Sequence, residues 1–194
     1  YKVLSEETSL SPVSMAGHSL GEYTALVASS AMSFFDAIQL VRKRGELMQS
    51  AVPSGTGSMA AILGLEDAII IEICHKASNK GVVEAVNFNS PGQVVIAGEK
   101  NAVAHACELM KEAGAKRALV LPVSVPSHCS LMKEAASEFN TYIKAVNFQT
   151  GNVKVIHNVD ADYAGGIEAI KTKLVEQLYM PVFWTSSINK MRDS

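Results

Sequence analysis

The apolar run Pro12 to Ala16 meets Gly17-His18-Ser19-Leu20-Gly21, and a segment apolar on most faces, Ser19 to Ala31, follows without a spacer. That order reads as a buried strand, a sharp glycine-flanked turn and a helix. It constrains the fold strongly, because a strand that feeds straight into a helix must bury both elements in one layered core.

The rest of the chain fits this frame. Ser33 to Val52 has apolar residues at helical spacing (Phe35, Ile38, Leu40, Val41, Leu47, Met48), with Ser33 placed to cap the helix and Asp36 at the capping-box position. Pro53-Ser54-Gly55-Thr56-Gly57 breaks the pattern. The expected order then becomes strand 58–65, helix 67–79, strand 82–88, turn 89–92, strand 93–97, helix 101–113 and strand 117–123. This is the β-α-β-β-α-β order of the ferredoxin-like split unit. A loop, Val125-Pro126-Ser127-His128, leads to helices over 131–145 and 167–179, a strand over 153–159 between them, and a last helix from Trp184. The expected fold class is α/β: a mainly parallel, helix-covered sheet (an α/β-hydrolase-like core) with an inserted ferredoxin-like subdomain. Residues 1–54 and 124–194 would form the large catalytic part and 55–123 the small one.

Composition excludes several classes. The chain of 194 residues is 48% hydrophobic and 19% charged, with a formal net charge of -2. That suits a globular protein with a substantial core and argues against disorder. Aromatics are 6% and not interleaved with a basic patch, so no nucleic-acid partner is expected. No apolar run approaches the roughly 20 residues that span a bilayer, so no membrane partner is expected either. Cys74, Cys107 and Cys129 are odd in number and widely spaced, which fits a reducing, cytoplasmic location better than a disulfide framework or a zinc site. No cluster has metal-ligand spacing, and no glycine-rich phosphate loop or dinucleotide fingerprint occurs, so neither metal nor cofactor is expected.

The chemistry centres on the glycine-flanked serine. A G-x-S-x-G turn lifts a serine hydroxyl clear of the backbone, and the N–H of the next residue, here Leu20, can face a developing oxyanion. A serine needs a base. His18 adjoins Ser19 on the turn and should point elsewhere, while His75 and His105 lie on helices of the small part. His128, in a loop directly after a strand, and His157, in a strand, both remain open as the base. Arg44 can hold a carboxylate through two parallel hydrogen bonds, although Arg42-Lys43-Arg44 also reads as a solvated helix face.

Several segments go further. AGHSLGEYTAL (16–26), RGELMQSAVPSGTGSMAAILGL (44–65), VNFNSPGQVVIAG (86–98), AKRALVLPVSVPSHCSLM (115–132) and QLYMPVFWTSSI (177–188) resemble, in order and spacing, malonyl-CoA:acyl carrier protein transacylases of the discrete bacterial type. The resemblance implies malonyl transfer from malonyl-CoA to the phosphopantetheine thiol of acyl carrier protein through a malonyl-serine ester, in fatty acid biosynthesis. It makes Ser19 the nucleophile, His128 its base and Arg44 the partner of the malonyl carboxylate. Gln177 would lend a carbonyl oxygen, backbone or side-chain, to orient His128. Leu20 would supply one oxyanion N–H, and His18, Asn87 and Asn89 would shape the substrate cleft. No resident cofactor is implied, since coenzyme A is part of a substrate and phosphopantetheine is carried by the partner. A monomer is expected. The family's N-terminal G-Q-G-S-Q loop, source of a second oxyanion N–H, and its C-terminal Gly-Pro-Gly segment are not found, so the chain reads as an internal fragment. Loss of such a donor costs about 2.7–4 kcal/mol of transition-state stabilisation, so weak activity or none is expected of this chain alone. Two alternatives share the residues: a serine esterase or thioesterase, and an inactive carrier-protein-binding fragment.

Overall fold

The computed structural model describes residues 1–193, so the last residue of the expected large part, Ser194, lies outside them. A short helix α1 (Lys2–Glu7), not anticipated from the sequence, precedes strand β1 (Ser14–Ala16), helix α2 (Gly21–Ala28) and helix α3 (Phe34–Ser50). Ser33 caps α3, its hydroxyl accepting from the Asp36 N–H at 3.0 Å. The reciprocal half of a capping box is replaced by the same hydroxyl donating to the Asp36 carboxylate at 2.6 Å.

The middle of the chain runs β2 (Gly57–Leu63), α4 (Asp67–Ala77), β3 (Val83–Ser90), β4 (Gln93–Glu99), α5 (Lys100–Glu112) and β5 (Arg117–Val120). These strands form one antiparallel sheet in the order β3-β4-β2-β5, which is the ferredoxin-like arrangement. Helices α4 and α5 cover one face, where Ala60, Ile62, Ile70, Ile73, Val94, Ile96, Ala106 and Met110 form a core. The opposite face is also buried: Met59, Val86, Val95 and Ala97 cluster with Cys129, which follows His128. Burial on both faces explains why β2 and β4 read as near-continuous apolar runs.

The remaining elements are α6 (Lys133–Ala145), β6 (Lys154–Ile156), α7 (Ile167–Glu176) and α8 (Trp184–Arg192), a 3-10 turn at Ser130–Met132 leading into α6. β6 lies parallel to β1, with Ser14 opposite Lys154 and Ala16 opposite Ile156. Around this pair α2, α3, α6 and α7 bury a second core that includes Tyr23, Leu26, Leu40, Phe139, Ile143, Leu174 and Leu178. The two units are tied at the site. Val182, between α7 and α8, bridges to Asn87 on β3, and Glu84 on β3 accepts from the N–H of Ser130 at 3.1 Å and from its hydroxyl. No helix among the described residues is long and apolar enough to cross a membrane.

Candidate active site

Between β1 and α2 the chain reverses over four residues. Ser19 has φ 52, in the left-handed region that side-chain-bearing residues rarely adopt. A Cβ on Gly17 would stand 1.9 Å from the carbonyl oxygen of Gly21, so only glycine fits there. Gly21 itself would meet nothing, so close packing explains the first glycine of the motif and not the second.

Ser19 Oγ lies 2.8 Å from Nε2 of His128, although 109 residues separate them in sequence. The other ring nitrogen, Nδ1, donates to the backbone carbonyl of Gln177 at 2.6 Å. A carbonyl only accepts, so Nδ1 carries the proton and Nε2 is left as the acceptor facing the serine. His128 is buried, with φ 66. Burial holds its pKa down to about 3, the Arg44 charge and His18 push the same way, and the Gln177 carbonyl opposes them. The ring is therefore neutral at physiological pH. His157 does not compete for this place: its Nδ1 donates to Glu22 at 2.7 Å. Cys129, next to His128, is no rival nucleophile, because burial pushes its thiol up to about 12.

Arg44 lies on the buried stripe of α3 with Ala37, Leu40, Leu47 and Met48. It is 7% exposed, and Nη2 donates to Ser19 Oγ at 3.1 Å and to Gln177 Oε1 at 3.2 Å. Its Nε is buried with no partner among the described residues. Its neighbours behave as a solvated face: Arg42 donates to Glu46 and Lys43 sits over the Tyr142 ring. Two residues of the expected apolar stripe, Phe35 and Ile38, are instead 71% and 52% exposed. The inward stripe runs through 37, 40, 44, 47 and 48, which places an arginine where leucine would be the usual choice.

Beneath the turn is a polar group of which the sequence singled out Gln177 and, as a candidate base, His157, but neither Glu22 nor Asn158. The fully buried Glu22 carboxylate accepts from His157 Nδ1, the Asn158 N–H at 2.9 Å and Gln177 Nε2 at 2.9 Å. Gln177 Nε2 also donates to the Ser19 carbonyl at 3.0 Å. Gln177 thus serves the site with both kinds of oxygen, its backbone oxygen on His128 and its amide oxygen on Arg44. One signal for Glu22 was available: an acid in the first turn of an otherwise apolar helix, three residues after the serine. Asn158 offered none, since its role depends on where β6 ends.

The other expected residues are placed as follows. Leu20 is the N-cap of α2, so its N–H is at a helix end where backbone donors lack intrahelical partners. His18 Nε2 pairs with Asn89 Oδ1 at 2.8 Å, and its ring meets Trp184 edge-on at 5.5 Å. Asn87 is not hydrogen-bonded to this group, and its Oδ1 is buried without a partner. Among the described residues no group of three or more His, Cys, Asp or Glu could hold a metal ion.

Fold and site together define a class: an α/β protein that presents a serine on a strand–helix turn to a neutral imidazole, with a buried guanidinium alongside and an inserted antiparallel sheet. The model of the acyl transferase domain family matches residues 6–188, and the chain belongs to that family. It is 53% identical over 191 residues to the malonyl CoA-acyl carrier protein transacylase of Escherichia coli K12, covering 98% of this chain and 62% of the relative. The Bacillus subtilis protein of the same name is 49% identical over 187 residues, covering 96% and 59%. A crystal structure of an acyl carrier protein S-malonyltransferase from Vibrio cholerae superposes with TM-score 0.96 at 52% identity, over 99% of this chain and 63% of that one. A malonyl-transacylase in complex with a type II PKS acyl-carrier protein gives TM-score 0.96 at 49% identity, over 99% and 62%. The chain thus spans about three-fifths of the length of the curated relatives it matches.

Proposed function

We propose that this chain carries the malonyl-serine centre of a cytoplasmic malonyl-CoA:acyl carrier protein transacylase. The observation that carries the reading is the buried Arg44 guanidinium 3.1 Å from Ser19 Oγ. A buried cation beside the nucleophile suits an acyl group that ends in a carboxylate. An acetyl group would leave that charge unpaired, which is the costly case. The unpartnered Nε of Arg44 supports the same reading, since it leaves a donor for a carboxylate oxygen.

In the first half-reaction Ser19 Oγ attacks the malonyl thioester carbon as its proton passes to Nε2 of His128. The tetrahedral oxyanion collapses, the C–S bond breaks, and the imidazolium returns the proton to the coenzyme A thiolate. In the second, His128 takes the proton of the phosphopantetheine thiol on acyl carrier protein, the thiolate attacks the serine ester, the tetrahedral oxyanion collapses with cleavage of the bond to Ser19 Oγ, and the imidazolium returns the proton to that oxygen. The Leu20 N–H is this chain's donor to both oxyanions. Gln177 keeps the His128 tautomer fixed throughout. The small subdomain, 55–123, forms one wall of the cleft through Asn89 and its partner His18. No resident cofactor takes part in this scheme.

The test is intact-mass spectrometry after brief incubation with malonyl-CoA. The expected result is a malonyl adduct that is absent from Ser19→Ala and weakened in Arg44→Ala, where acetyl uptake rises relative to malonyl. An adduct that survives Ser19→Ala would sink the reading. Steady thioester turnover without a thiol acceptor would replace it with hydrolysis.

A further inference from the structure

We propose that Asn158 is the positioning residue of the serine turn: its side-chain amide grips both flanks of the turn and holds Ser19 in its left-handed backbone conformation. The inference rests on the reading of Ser19 as nucleophile.

Three observations carry it. Asn158 Oδ1 accepts from the Ser19 N–H at 2.7 Å, and Nδ2 donates to the Gly17 carbonyl at 2.9 Å. One planar amide therefore satisfies a donor and an acceptor two residues apart, across the point where the chain reverses. The parallel ladder between β1 and β6 ends at Ala16 opposite Ile156. Asn158 stands two residues past that end and continues the ladder with its side chain where the turn has no strand neighbour. Asn158 is also held firmly. It is fully buried, its N–H donates to Glu22 Oε2 at 2.9 Å, and its carbonyl accepts from the Phe183 N–H at 2.9 Å.

The grip has a chemical consequence. It takes the Ser19 N–H away from the acyl group, which leaves the Leu20 N–H as the backbone donor of the turn. A residue that only filled space would need neither bond, whereas a residue that sets the direction of Oγ needs both. Displacement of a reacting group by about 1 Å costs on the order of a hundredfold in rate.

The experiment follows phosphonylation of Ser19 by a fluorophosphonate in the full chain, by intact mass, beside malonyl uptake from malonyl-CoA. Far-UV circular dichroism checks the fold of each variant. Asn158→Ala is expected to react about 100-fold more slowly with its fold intact. Asn158→Asp supplies a readout that loss of packing would not give. An ionised carboxylate accepts from the Ser19 N–H but repels the Gly17 carbonyl, whereas a protonated carboxyl donates to that carbonyl. Burial and the Glu22 carboxylate, bonded to the backbone N–H of the same residue, raise the pKa of the introduced group, and the Gln177 Nε2 donor on Oδ1 at 3.3 Å opposes them. The other charged or titratable groups around it are His157 beside Glu22, and Arg44 and His128 reached through Gln177 and Ser19. Asn158→Asp is therefore expected to be slow near pH 8 and to regain reactivity, relative to the unaltered chain, near about pH 5. Folded variants that react at the unaltered rate overturn the proposal. So does an Asn158→Asp deficit that is equal at both pH values, and that variant decides alone if Asn158→Ala does not fold. Phosphonylation of Ser19 without malonyl uptake would overturn the malonyl reading while the Asn158 rates still stand. A Ser19 inert to both reagents would overturn both.

Discussion

The core of the inserted sheet and the group beneath the serine turn are both fully buried, yet opposite kinds of interaction hold them. Between the sheet and helices α4 and α5, Ile62, Ile70, Ile96 and Met110 fill space with methyl and methylene groups. Beneath the turn, Glu22, His157, Asn158 and Gln177 fill it with polar groups that bond to one another. The first region tolerates exchange of one apolar side chain for another of similar volume. The second has no such latitude, because removing one member strands the partners of several bonds. Stability can be built either way, but only the second directs a serine turn, an imidazole and a guanidinium through hydrogen bonds, all three from Gln177.

The contrast can be broken by experiment. His128→Ala should slow acylation of Ser19 by about 10²–10⁴-fold in stopped-flow thioester cleavage, and cost about 1–3 kcal/mol in urea for the stranded Gln177 carbonyl. Glu22→Ala should cost about 4 kcal/mol in urea, because it leaves the buried His157 Nδ1 and Asn158 N–H donors without their acceptor, and it should also slow phosphonylation of Ser19. Ile70→Ala should cost about 3 kcal/mol with serine reactivity unaltered in the folded fraction. If Ile70→Ala disabled the serine as well, the two regions would not be separable.

The smallest effect is one of pH. The folded pKa of His128, about 3, lies below its unfolded value, so between the two the unfolded chain binds the extra proton. The stability tied to the neutral ring is fully present above about pH 6.5 and is lost as pH falls toward 3. Thermal melts should show a slope of up to about 1.4 kcal/mol per pH unit in that window, and His128→Gln should remove this contribution.

The two regions also differ in how far they could be read from sequence. The sheet and its helices were legible because burial repeats along each element: Ile70, Ile73, Cys74 and Ala77 return at helical spacing, and β2 and β4 are apolar on both faces. The serine turn was legible because glycine at position 17 is a steric necessity. The polar group was not, since its four members come from three places in the chain and none belongs to a pattern. Arg44 shows the boundary. Its spacing from Leu40 and Leu47 is that of a core position, but its charge and its neighbours Arg42 and Lys43 spoke for the surface. The residue pattern alone left His128 and His157 equal as bases, and only the family resemblance chose His128. What separates them is the turn at His128, which points Nε2 at Ser19, and the carboxylate that engages His157.

The left-handed backbone at Ser19 and the distance of its partners along the chain bear on synthesis. Ser19 is bonded by groups 109, 139 and 158 residues further on. At roughly 5–20 residues per second, the last of these leaves the ribosome some 8–30 s after the serine. The Arg44 guanidinium, 25 residues on, follows within seconds, but the imidazole and the two amides that set the direction of the hydroxyl come only later. On the proposed function, the serine of the growing chain therefore waits for its imidazole before it can be acylated.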